Sequence, residues 1–108
     1  MTYDTCMYIA DALLPNRIPV PVKHRWLSEL EGRIQVELEG ESPSNLISPE
    51  EGGDLPSLSA PFPYDRLYWL YLVAMFDFAN GDNARYENAA AMFNSAYQNY
   101  AKWRLNHA

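Results

Sequence analysis

Cysteine is nearly absent from this sequence, with Cys6 alone in 108 residues. One thiol excludes an internal disulfide and a Cys-rich zinc site, and the pattern suits a reducing compartment. Its neighbours Thr5 and Met7 offer no base or cation to form thiolate, so a small semi-buried residue is expected rather than a nucleophile. Histidine is as scarce. His24 and His107 lie far from Cys6 and from each other in sequence, at no metal-ligand spacing, and both are expected at the surface. Cations are few, with eight Lys and Arg against fourteen Asp and Glu for a net charge of -6. That balance disfavours a nonspecific grip on DNA or RNA backbones, which needs clustered positive charge. Long hydrophobic runs are also missing, the longest nearly apolar stretch being about half of the ~20 residues a membrane span requires. The opening MTYDTCMYIA carries an acid, Asp4, and no basic leader, so neither a membrane span nor export is expected. Gly52-Gly53 lacks the Gly-Lys-Ser/Thr triad of a phosphate loop. Asp77 and Asp82 read more simply as a solvated helix end and a helix cap than as an acid-base pair. These gaps leave an enzyme without a motif, and no cofactor or metal is expected.

What remains is helical pattern. Tyr3, Met7, Ala10 and Leu14 recur at three- and four-residue spacing behind Thr2 or Asp4 as cap, predicting a helix over 2–14 that Pro15 ends. Pro15, Pro19 and Pro21 make the following residues extended, and Pro21 opens the next helix. Over 21–39, Trp26, Leu27, Leu30, Ile34 and Leu38 take one side against Lys23, Arg25, Glu29, Glu31, Arg33 and Glu37, a second amphipathic helix. From Leu67 to Phe76 no residue is charged and apolar side chains fall on every side of the turn, so the helix over 63–80, begun by Pro63, needs cover all round. Asn80-Gly81-Asp82 breaks it: glycine suits the left-handed position past a helix end, and Asp82 can cap the next helix. The fourth helix, over 83–105, places Tyr86, Ala89, Ala90, Phe93, Ala96, Tyr97, Tyr100 and Trp103 on one face. The prediction is an all-α single domain, 1–108, of about four helices ending in a long helical hairpin.

Between the second and third helices, 40–62 is rich in proline and serine and cannot sustain helix or a central strand. A loop this long inside a compact domain is uncommon. Its Leu46, Ile47, Leu55 and Leu58 are too apolar for a solvated tether and are the candidate anchors that pin it to a surface. Ile34 to Asp65 holds seven acids and no Lys or Arg, whereas Arg85, Lys102 and Arg104 later face only Glu87. Eight Tyr and three Trp are more ring surface than a core this size readily absorbs, and interfaces favour both residues. Tyr68, Trp69, Tyr71, Tyr97, Tyr100 and Trp103 are therefore the candidate association residues.

Two resemblances attach to these segments. Gly81, Tyr86, Ala89, Phe93 and Ala96 form a run similar to the second helix of a tetratricopeptide repeat, present once where such units stack in threes or more. Across nearly the whole chain, DALLPN (Asp11 to Asn16), WLSELEG (Trp26 to Gly32), YDRLYWLYL (Tyr64 to Leu72) and FANGDNARYENAAAMFNSAYQNYAKW (Phe78 to Trp103) resemble, in order and spacing, the small head-tail connector proteins of tailed phages and prophages of Gram-positive bacteria. The chain departs from that pattern at Pro19-Val20-Pro21, where a Ser/Asp-type helix start is expected, and in the length of the 40–63 loop. The resemblance implies a non-enzymatic adaptor that self-associates into a ring beneath a portal and meets portal and stopper or tail proteins, with DNA passing through but not specifically bound. It implies a bacterial host cytoplasm and then a virion as location. The alternative is a stand-alone protein- or peptide-binding module built on the tetratricopeptide-like hairpin.

Overall fold

The computed structural model describes residues 1–43 and 57–107. Helix α1, Tyr3–Leu13, begins where Thr2 lends its side-chain oxygen to the Thr5 N–H at 3.1 Å, satisfying one of the donors a helix start leaves open. It ends at Leu14, which adopts extended angles before Pro15. Asn16 fixes the exit by donating to Asp11 Oδ1 and the Leu14 carbonyl and accepting from the Ile18 N–H. Helix α2, Val20–Glu37, starts without a side-chain cap. Pro21 lies in its first turn, where a missing N–H costs nothing, and the Val22 and Lys23 N–H groups return to the Pro19 carbonyl. The unusual Pro-Val-Pro start is thus compatible with a regular helix.

Helix α3, Arg66–Ala79, begins three residues later than the sequence predicts. Pro63 is not in its first turn: the Phe62–Pro63 peptide is cis, and a turn joining the Tyr64 N–H to the Pro61 carbonyl precedes the helix. Asp65 occupies the cap position without a side-chain bond. At the other end Gly81, at φ +74, turns the chain, and Asp82 receives the Arg85 N–H at 3.1 Å to open α4, Asn83–Asn106. At 24 residues α4 is about 36 Å long.

Because α3 has no polar side, the other helices assemble around it, and α1, α2 and α4 all pack against it. Leu67, Tyr68, Leu72 and Phe76 are fully enclosed and meet Cys6 and Ala10 of α1, Leu27, Leu30 and Ile34 of α2, and Phe93, Tyr97 and Tyr100 of α4 in one core. Each such apolar side chain removed from water stabilises the fold by about 1.5–3 kcal/mol before entropy is counted. The described residues contain helices and no strand, with the C-terminal helical hairpin as expected.

Two side chains expected on the solvated face of α2 are inside. Glu31 and Lys23 are 4% and 5% exposed. Glu31 Oε1 accepts from the Tyr68 hydroxyl at 2.6 Å and from Ser59 Oγ, while its Oε2 accepts from the Ser59 N–H at 2.8 Å and from Gln35. The Tyr68 hydroxyl in turn accepts from the Ala60 N–H at 2.9 Å. With Leu58 buried and its N–H bonded to the Met1 carbonyl, residues 57–60 form a strap latched to α2, α3 and the N-terminus. Lys23 Nζ reaches Asp11 at 2.8 Å and lies over the Phe76 ring. His24, expected at the surface, is also partly enclosed: its ring meets Tyr3 edge-on, and its Nε2 is buried without a hydrogen-bond partner among the described residues.

Removing the Tyr68 hydroxyl deprives Glu31 of its shortest bond and leaves the Ala60 N–H unpaired. Tyr68→Phe is expected to lower unfolding free energy by about 2–4 kcal/mol in urea titrations, while Tyr8→Phe, at an exposed position, changes it by less than about 0.5 kcal/mol. Equal costs at the two positions would refute the latch.

Candidate functional site

The six aromatic residues proposed for association divide into two groups. Tyr68, Tyr97 and Tyr100 are buried in the chain's own core, so none of them offers a surface to a partner. Trp69, Tyr71 and Trp103 are half-buried against that core. Tyr71 meets Phe93, which meets Tyr97, so the hairpin seam accounts for much of the ring surface. Leu58, proposed as a loop anchor, is the strap's own buried residue, set in the core. Leu46, Ile47 and Leu55 lie outside the described residues.

The exposed apolar surface is elsewhere, and much of it gathers at the two ends of the α3–α4 hairpin. At one end Phe78, 63% exposed, pairs with Tyr86 across the turn. Lys23 brings the last turn of α1 and the first turn of α2 to this end through Asp11 and Phe76, adding the exposed Leu13, Val20 and Val22. At the opposite end, about 21 Å away along α3, Tyr64 stacks on Trp103 at 5.3 Å and neighbours Tyr100, and His107 continues the stack on Trp103. Phe62, 86% exposed, and Leu105 project beside this ladder. The helix pattern carried a partial signal for these positions: Leu13 falls off the α1 apolar stripe, and Phe78 abuts the turn.

The charges are mostly organised within the chain. Arg25–Glu29 and Arg33–Glu37 pair along α2. Asp77, expected to be a solvated helix end, is instead 4% exposed with its carboxylate 3.5 Å from Arg85 Nε. Arg33 lies over the Tyr97 ring, and the Tyr97 hydroxyl donates to Glu37 Oε2 at 2.7 Å, joining α2 to α4. That bond, with help from Arg33 and against a burial penalty, holds the Glu37 carboxyl below its ordinary range, and burial with the Glu37 bond pushes Tyr97 up to about 12. Burial would raise the Asp11 carboxyl, but bonds from Lys23 and Asn16 and the Lys23 charge outweigh it, so the net shift is downward. Cys6 is fully buried, and burial with the charge of Asp65 pushes its thiol up to about 12, so it carries no thiolate at neutral pH.

No three His, Cys, Asp or Glu side chains among the described residues are placed to hold a metal ion. Among the same residues no helix is long and apolar enough to cross a membrane. What the described surface does present is apolar side chains at the two ends of the bundle. Compared with known proteins, the chain matches no family model, no curated protein and no solved structure.

Both Asp11 and Glu37 have lowered values in the fold, so their contribution is present above the ordinary carboxylate range and is lost as pH falls through the lowered values. Urea titrations are expected to give stability that declines from about pH 5 to pH 2, and the decline should flatten in the Asp11→Asn, Glu37→Gln double variant. An unchanged slope in that variant would show that these two carboxylates do not carry the acid response.

Proposed function

We propose that this chain is a structural head-tail connector of a phage or prophage, acting through protein–protein contacts in the bacterial host cytoplasm and then in the virion. The reading rests on the resemblance of its four segments to that family. The observation that carries it beyond the sequence is the pair of unlike apolar ends: an aliphatic end with Phe78 and Tyr86, and an aromatic ladder with Phe62 and Leu105. Unlike surfaces at opposite ends suit a head-to-tail contact, which repeats and closes into a ring when the rotation allows. The net charge of -6 suits a wall along which DNA passes without being held. A free-standing peptide-binding hairpin is the weaker reading, because α1 and α2 already cover the flanks of α3 that α4 leaves.

The cognate portal, encoded beside such a gene, is the decisive reagent. Light scattering and negative-stain microscopy of portal mixed with this chain are expected to give a larger particle with many copies bound, and no binding at saturating concentration rejects the adaptor reading. Phe78→Asp and Leu105→Asp are each expected to stop ring growth. Mixing the two variants should restore pairs joined by the one intact contact, but no ring.

A further inference from the structure

The outward face of α4 is unlike every other helix surface of the molecule. From Asn88 to Ala101 the sequence has no charged residue, yet Asn88, Ala91, Met92, Asn94, Ser95, Gln98 and Asn99 all face solvent. A helix side turned away from its core normally carries charge, as α2 does with Arg25–Glu29 and Arg33–Glu37. Beside this face the α3–α4 seam opens into a cleft of about 250 Å³ lined by Leu70, Met92 and Ala96, with Arg66 at its rim. Met92 is 55% exposed. Depletion of charged residues is one mark of an interface centre, and an exposed methionine beside the face is another.

The charges bounding the stretch indicate what covers it. Glu87 stands at one end and Lys102 at the other, both exposed, and neither makes an ion pair among the described residues. They are equidistant in sequence from Asn94–Ser95 and lie on the same side of the helix. Laid antiparallel on a copy of itself about that midpoint, α4 brings each Glu87 to the Lys102 of the other chain and sets the charge-free stretches face to face. Ala91 and Ser95 have no bulk to hold the axes apart, which favours the short end of the usual 8–10 Å helix spacing.

We propose that the occupant of this face is a second copy of this chain, α4 against α4 about a twofold axis at Asn94–Ser95, closed by two Glu87–Lys102 pairs. Such a contact is isologous and saturates at two chains. It is independent of the adaptor reading, which concerns the ends of the bundle.

Sedimentation equilibrium of the chain from about 1 µM to 1 mM is the test. The native protein is expected to pass from monomer to dimer in this range, and Ala91→Arg to remain monomeric with an unchanged far-UV circular dichroism spectrum. Glu87→Lys is expected to weaken the dimer by about tenfold or more, and Glu87→Lys with Lys102→Glu to recover most of that loss. A Cys at Ser95 should form an intermolecular disulfide on mild oxidation while a Cys at Glu29 does not, the native Cys6 being buried and silent. A native chain monomeric at 1 mM overturns the proposal. So does a dimer indifferent to Ala91→Arg, a charge swap without recovery, or equal cross-linking at positions 95 and 29. Portal binding that survives Ala91→Arg bears on the adaptor reading alone.

Discussion

Helix α3 has almost nothing to offer water. Between Leu67 and Phe76 it carries no charge, and its apolar side chains point in all directions. A helix of that kind is stable only when surrounded, because each large apolar side chain left in water forgoes a few kcal/mol. The arrangement of the chain follows from this demand. The hairpin turn at Gly81 returns α4 along one flank, α2 lies along another, and α1 covers a third. The apolar stripes of those three helices are each narrow enough to leave an outer side for solvent, and together they enclose one core rather than several.

The polar groups drawn into that core have partners, with His24 Nε2 the exception among the described residues. Glu31 is held by four donors, Lys23 by a carboxylate and a ring face, and Asp77 by Arg85. An unpaired buried charge costs several kcal/mol, so each pairing constrains where the contributing segment can lie. Glu31 and Tyr68 determine the path of the strap at 57–60, and Lys23 ties the end of α1 to the end of α3. These bonds contribute less to net stability than the apolar burial does, but they select one arrangement of helices that packing alone leaves under-determined.

Helix existence and order are legible in the sequence because spacing, caps and breakers agree at most boundaries: Thr2, Pro15, Gly81 and Asp82 act as their chemistry predicts. The start of α3 is not, since Pro63 has two compatible roles, first turn of a helix or member of the turn before it, and local sequence does not choose between them. Lys23 and Glu31 are a more instructive case. Both fall on the apolar stripe of α2, at 23, 27, 30, 31 and 34, and their charge outvotes their position only if a buried charge has no partner. The partners Asp11, Tyr68 and Ser59 come from other elements, so the information is tertiary. Tyrosine count does not say which rings lie outside for the same reason, because a tyrosine whose hydroxyl finds an acceptor on another helix of the chain, as Tyr68 and Tyr97 do, can pack its ring into the core. The surfaces left open are marked by position: residues at helix ends, and a helix face without charge.

Those two kinds of open surface have different symmetry. The ends of the bundle are chemically unlike, so a contact between them is directional, each chain giving one end and receiving the other, and it can continue. The α4 flank matches only its own reversal, because the acid at 87 and the base at 102 exchange places under a twofold rotation, and such a contact stops at two chains. The charge-free stretch from 88 to 101 lies between the ends and includes none of Phe62, Phe78 or Leu105, the exposed side chains of those ends; of the aromatic ladder it contains only Tyr100, which is buried. Where the flank twofold crosses the ring axis at a right angle, the two contacts together give dihedral symmetry, two rings joined through their α4 flanks. If the end-to-end contact closes a ring at a portal as proposed, the flank pairs have to open before one ring is presented alone, so the two proposed contacts compete for the same chain at that step.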